Sequence, residues 1–231
     1  MNESHTPVFL KIILCFFLFI GTNITNSAES FNKDWTAANI LGSFSDNSSF
    51  KYYLEPQLRL IDTNSVFNQF LLLGGIGYQI NKDITVLLGT GWIKTRTPEN
   101  TETQERRIWE QLNWRINNKL NWSINSRTRL EQRERLDYAQ MSIRLRERMW
   151  IRIPFKKWES YSFSCFDELF FNLNHPQWAS PYTLEQNRAF IGISKQISNT
   201  ITIDAGYLNQ YVRASTNYQD NVFLLNFSIT T

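Results

Sequence analysis

Hydrophobic and polar residues alternate with a period of two along almost the whole chain after Trp35. Leu120, Trp122 and Ile124 share one face of a run whose other face is Asn121, Ser123 and Asn125. That polar face continues through Arg127, Arg129, Glu131 and Arg133. Between Met141 and Ile153, the apolar set Met141, Ile143, Leu145, Met149, Ile151 and Ile153 opposes Ser142, Arg144, Arg146, Arg148, Trp150 and Arg152. Only a β-strand sorts residues in this way, because successive side chains point to opposite faces; a helix would smear the arginines around its cylinder.

Short polar turns cut the pattern at Asn81-Lys82-Asp83, Asn117-Asn118-Lys119 and Ser198-Asn199-Thr200, with a longer break from Pro154 to Ser160. Longer connections alternate with them: Thr95 to Gln104, Leu136 to Gln140, Asn174 to Tyr182 and Val212 to Tyr218. The spacing predicts strands over 35–44, 50–61, 67–80, 84–94, 105–116, 120–133, 141–153, 160–173, 184–197, 200–212 and 218–231. Most run for about 10–14 residues, long for a soluble sheet and suited to a tilted strand that crosses a bilayer. The expected fold is all-β: one antiparallel up-and-down transmembrane barrel of about 10–12 strands, with ten or twelve favoured over eleven because bacterial barrels are even-numbered. The hairpin at Ser45-Asp46-Asn47-Ser48-Ser49 is the weakest part of that count.

The apolar positions Ile84, Val86, Leu88, Ile108, Leu112, Trp114, Ile116, Ala189, Ile191, Ile193, Phe223, Leu225, Phe227 and Ile229 form one face, and Gln69, Gln79, Arg107, Gln111, Asn113, Arg115, Gln186, Arg188, Ser194, Asn226 and Ser228 the other. A water-soluble barrel or sandwich would put the apolar face inside. Two features favour the inverse. Aromatic residues gather towards strand ends, Trp114, Trp122 and Tyr161 at one and Trp92, Phe171, Tyr207 and Tyr211 at the other, as membrane-interface girdles do. The polar face also carries more arginine and glutamine than an ordinary exposed sheet. Glu110, Glu147 and Asp167 run against this scheme, falling on the apolar face. Gly74-Gly75-Ile76-Gly77 lies inside a strand and reads as room for bending or close packing rather than as a phosphate cradle.

Composition sharpens rather than changes this picture. The 231 residues are 42% hydrophobic and 15% aromatic, which excludes disorder, and 24 Lys plus Arg against 21 Asp plus Glu leave a net charge of only +3. No apolar run approaches the length of a membrane helix. Residues Ile12 to Ile20 span about 13 Å as a helix, sit behind Lys11 and precede the small-residue stretch ending at Ala28, so residues 1–28 read as a secretory signal peptide and 29–231 as the barrel domain. Its removal would leave Cys165 and His175 as the sole cysteine and histidine, too few for a disulfide or a zinc site. The N-terminus of the barrel is expected at the periplasmic end with the short turns, and the longer loops outside.

Several segments together resemble the bacterial family named domain of unknown function 2490. They are Leu54-Glu55-Pro56-Gln57-Leu58-Arg59-Leu60, Phe67-Asn68-Gln69-Phe70, Arg144-Leu145-Arg146-Glu147-Arg148, Asp167-Glu168-Leu169-Phe170-Phe171-Asn172-Leu173, Glu185-Gln186-Asn187-Arg188 and Gly206-Tyr207-Leu208-Asn209-Gln210-Tyr211. The resemblance spans essentially the whole of 29–231. It implies a predicted outer-membrane barrel and no known activity. One departure is the C-terminus: instead of ending on the aromatic residue that assembly machinery recognises, the chain ends Phe227-Ser228-Ile229-Thr230-Thr231, with Phe227 as the nearest substitute.

The chemistry of the polar face is its arginine array: Arg59, Arg107, Arg115, Arg127, Arg129, Arg133, Arg144, Arg146, Arg148, Arg152 and Arg188, with Glu55, Gln111, Glu131, Glu168, Gln186 and Asp204 as partners. Arginine stays charged and pairs bidentately with carboxylates, so a narrow lumen filled by Arg–Glu pairs is the favoured reading. The alternatives are a narrow anion-preferring pore, a rim that binds lipid or lipopolysaccharide phosphate, and a secreted soluble barrel or sandwich with a binding role. His175 beside Pro176 reads as a solvated loop residue, so no enzyme, metal or cofactor is expected. Expected partners are outer-membrane lipid, lipopolysaccharide and the barrel assembly machinery, in the outer membrane of a Gram-negative bacterium. Nucleic acid is not expected, since the arginines are interior by periodicity.

Overall fold

Alternation this persistent leaves every strand with two usable edges, and the chain satisfies them by curling the sheet until its ends meet. The computed structural model describes residues 29–61, 66–97 and 100–231; the segment read as a signal peptide lies outside them. Among the described residues there are eleven strands: β1 (Glu29–Ser43), β2 (Phe50–Ile61), β3 (Val66–Gln79), β4 (Ile84–Arg96), β5 (Glu102–Ile116), β6 (Ser123–Arg135), β7 (Ser142–Pro154), β8 (Tyr161–Asn172), β9 (Leu184–Gln196), β10 (Ile201–Val212) and β11 (Tyr218–Thr230). They form one closed barrel in sequence order.

The even count is corrected here. Consecutive strands pair antiparallel, but β1 closes on β11 in parallel, from Glu29 opposite Tyr218 to Leu41 opposite Thr230. An odd number of up-and-down strands can close only in this way, since the first and last then run in the same direction. The weakest hairpin is a genuine one: Asn47 takes a left-handed conformation (φ 62°) and β1 and β2 flank it in register. Odd parity also separates the chain ends. Glu29 opens β1 at the end that carries the longer loops, while Thr231 bonds Leu41 at the short-turn end. The expected grouping of the N-terminus with the short turns therefore fails.

Local chemistry sets other boundaries. The strand expected from residue 120 begins only at Ser123. Asn118 Oδ1 accepts from the amides of Leu120 and Trp122, and Asn121 is left-handed (φ 58°), so these residues belong to the turn. Bulges interrupt the pairing of β2 with β3 at Arg59/Leu60, and of β8 with β9 at Phe170/Phe171.

The two faces divide as the alternation requires. Outside stand Ile76, Val86, Leu88, Ile108, Trp114, Ile191, Ile193 and Phe223, all exposed. Ile116 is the exception, buried laterally against Ile124, Ile151 and Cys165 under Trp122 and Phe163. Tyr207, expected towards a strand end, stands in the middle of β10, its hydroxyl bonded to Asn221 (2.6 Å). Glu110, Glu147 and Asp167 remain on the outer face, each satisfied by a polar neighbour. Gln132 reaches Glu110 (3.3 Å), Ser126 (2.8 Å) and Thr128 reach Glu147, and Asn187 reaches Asp167 (2.6 Å).

Candidate functional site

The lumen is not uniformly polar. Two apolar clusters line its wall: Trp35, Trp150, Phe166, Phe190, Leu208, Val222 and Leu224 on one side, and Tyr53, Leu71, Leu73, Leu87, Ile93 and Trp109 on the other. Trp109 lies over the paired glycines Gly75 and Gly89, where a Cβ on either would collide with its ring. These inward residues share their strands with inward arginines, because alternation fixes which residues share a face and not whether that face is polar.

Between the clusters runs a belt of ion pairs across the barrel. Glu131 lies at its centre with no exposed surface, accepting from Arg144 (2.6 Å) and Arg146 (2.7 Å), with Arg107 at 3.7 Å. Glu168 accepts from Arg127 (2.6 Å) and Arg146 (2.8 Å), with Arg188 at 3.7 Å. Glu55 accepts from Arg129, Tyr53 and Gln57, each at 2.6 Å. Arg129 is fully buried, bonded also to Gln111, and lies 4.8 Å from the centre of the Trp109 ring. Carboxylates shared between two or more guanidinium groups neutralise charge that neither could carry alone in a low-dielectric interior.

The belt divides the cavity in two. A chamber of about 280 Å³ lies on the long-loop side and one of about 750 Å³ on the short-turn side, and no residue lines both. In the smaller chamber Arg59 has no carboxylate within 4 Å among the described residues. It bonds Gln69 (2.7 Å) and Gln57 (2.9 Å) and stacks 4.0 Å from the centre of the Trp35 ring. Arg188 stacks on the same ring at 4.9 Å and donates to Gln210 (2.8 Å), which donates in turn to Asp220. Lys33 holds Asp220 from the other side (2.8 Å). Arg133 forks onto Glu105 through two 2.9 Å bonds, and Trp178 from the β8–β9 loop covers it, 5.1 Å away. Beyond the strands, the exposed Asp137 is held below the usual carboxylate range by its hydrogen bonds from Arg135.

The larger chamber contains Arg152, forked onto Asp204 (2.9 and 2.7 Å), and Arg148, Arg115 and Lys51, none of which has a carboxylate within 4 Å among the described residues. Of the expected residues, the belt therefore gathers Glu55, Arg107, Arg127, Arg129, Glu131, Arg144, Arg146 and Glu168. Arg59 and Arg188 go to one chamber and Arg115, Arg148 and Arg152 to the other, with Asp204 behind that lining as the carboxylate that holds Arg152. Sequence reasoning missed Glu105, Glu185, Asp220 and Lys33. Glu105 is legible by parity, two residues before Arg107. Glu185 is not: the β8–β9 bulge leaves it unpaired and turns it inward, 3.3 Å from Arg144.

His175 is exposed in the β8–β9 loop, its Nδ1 3.3 Å from the Ser180 carbonyl oxygen. Among the described residues, no cluster of three or more His, Cys, Asp or Glu side chains is placed to hold a metal ion.

A family model described as a protein of unknown function, DUF2490, matches residues 32–221. An uncharacterized protein of Methylorubrum extorquens is 29% identical over 224 residues, covering 95% of this chain and 97% of the relative. No solved structure matches.

Proposed function

Starting from the DUF2490 family, to which this chain belongs, we propose an outer-membrane barrel of Gram-negative type whose lumen is closed by an ion-pair belt and whose role is structural or binding rather than catalytic. The observation that carries this reading is the inversion of polarity. Large apolar side chains such as Ile76, Leu88, Ile108, Ile191 and Phe223 stand exposed around the outside, while Arg129 and Glu131 are wholly buried within. Water would penalise such an outer surface; lipid rewards it, and strands of 12–15 residues are long enough to cross. The outward acids fit as exceptions already hydrogen-bonded within the sheet, which lessens the cost of a charge near lipid. Residues 1–28 then act as the export signal, and lipid, lipopolysaccharide and the assembly machinery are the partners.

A second reading, a narrow anion-preferring pore, is favoured by the cations in both chambers that have no carboxylate partner among the described residues. The belt weighs against it, since conduction needs a continuous wet path. Refolding the full chain into lipid vesicles and planar bilayers tests both. The proposal expects a heat-modifiable, protease-protected species that inserts without conductance steps. Stepwise anion-selective conductance, altered in Arg146→Glu, would replace it with the pore, and failure to insert would leave the soluble binding barrel.

A further inference from the structure

The pairing order of the belt leaves a specific deficit on its short-turn side. Arg148 lies opposite Glu168 in register, but Arg127 and Arg146 already occupy that carboxylate. Arg148 is therefore left with no hydrogen-bond acceptor among the described residues; its guanidinium stacks on Trp150, 4.7 Å from the ring centre. Directly across the β6–β7 pair stands Arg127, a like charge at a position where like charges repel. Arg127 is only 5% exposed; its Nε and Nη1 make no hydrogen bond, the nearest carboxylate to Nη1 being Glu55 at 3.9 Å. Native structures leave few buried donors unmet, and those they do leave ask for an acceptor.

Lys51 and Arg115 line the same cavity. Lys51 is bonded only to Ser43 Oγ (2.6 Å) and so keeps donors free. Opposing them, the lining offers one carboxylate side chain, Asp83, which already accepts from Asn117 (2.7 Å). The volume, about 750 Å³, is that of a small-molecule site.

We propose that the short-turn chamber is a binding site for a small oligoanion bearing two or more phosphate or carboxylate groups. Arg148 and Arg127 would grip one group with their guanidinium forks, and Lys51 and Arg115 would take the charge of another. Neutral sugars do not meet the demand, since they bring no charge to the cations that line the cavity. Metal cations are repelled outright. The inference deepens the binding-barrel reading and rests on it, but its test separates the two.

The full chain, refolded in detergent, is titrated with inorganic pyrophosphate and separately with citrate by calorimetry. Saturable binding of at least one is expected, and the tighter of the two identifies phosphate or carboxylate as the ligand chemistry. Affinity should fall about tenfold or more in Arg148→Gln with Lys51→Gln, since charged hydrogen bonds are lost, and stay unchanged in Arg59→Gln, whose guanidinium serves the other chamber. Neither Arg148 nor Lys51 holds a belt carboxylate, so both single variants should fold, as heat-modifiable mobility will check. No saturable binding by the parent protein, or an equal loss in Arg59→Gln, overturns the chamber. Vesicle insertion reports on the membrane reading alone: a protein that inserts but binds neither anion overturns only the oligoanion site.

Discussion

The belt and the short-turn chamber are built from the same residue type on the same strands, yet their charge is arranged oppositely. In the belt each of Glu55, Glu131 and Glu168 accepts from at least one arginine at 2.6–2.8 Å, and the arginines are buried. A few positions along the same strands, Arg115 and Arg148 have no such partner among the described residues. Arginine content by itself therefore says little about role. Where carboxylates interleave at matching register, arginine forms a polar core; where they do not, it forms a surface waiting for an anion. Burying a charge is tolerated only with its counter-charge, so the belt's members should be far less replaceable than the chamber's.

The largest expected effect follows from the most shared carboxylate. Glu131→Ala leaves Arg144 and Arg146 without their closest acceptor and should lower stability by about 3–5 kcal/mol, or prevent refolding, as read by urea titration of the folded band. Glu168→Gln should cost less, about 1–3 kcal/mol, because its amide still accepts one hydrogen bond while Arg146 retains Glu131. Asp204→Asn should be smaller again than the Glu131 loss, since Arg152 is partly hydrated and Ser228 lies 3.4 Å away; urea titration on the same scale ranks the three. Arg148→Gln is expected to change stability by less than about 0.5 kcal/mol, as it breaks no ion pair, or to raise it by relieving repulsion with Arg127. A loss as large as that of Glu131→Ala would mean that the chamber is structural after all.

Most of the barrel can be read from the chain because period-two alternation is a local signal. The β7 reading, 141–153 against Ser142–Pro154, shows how little tertiary context it needs. Parity escaped because the β1–β11 closure joins the two ends of the chain, and nothing local distinguishes a strand that pairs in parallel from one that pairs antiparallel. The apolar half of the lumen escaped for a related reason. Trp35, Leu73 and Trp109 obey the alternation, but alternation does not say that an inward position must be polar. The division of the arginines between belt and chamber depends on cross-strand register, as with Arg148 facing a Glu168 already engaged by its neighbours. The bulges set the limit: each shifts parity by one, and Glu185 moved inward with no sequence sign beyond the pairing that its neighbours adopt.

The claim beneath all of this is that the outer face meets lipid. A spin label at Ile191→Cys, in a background with both Cys15 and Cys165 replaced by Ser, would sit on that face, where Ile191 is 52% exposed. After reconstitution into vesicles the label should collide readily with dissolved oxygen and poorly with a water-soluble nickel complex. Strong collision with nickel and weak collision with oxygen would place that face in water and contradict the membrane barrel.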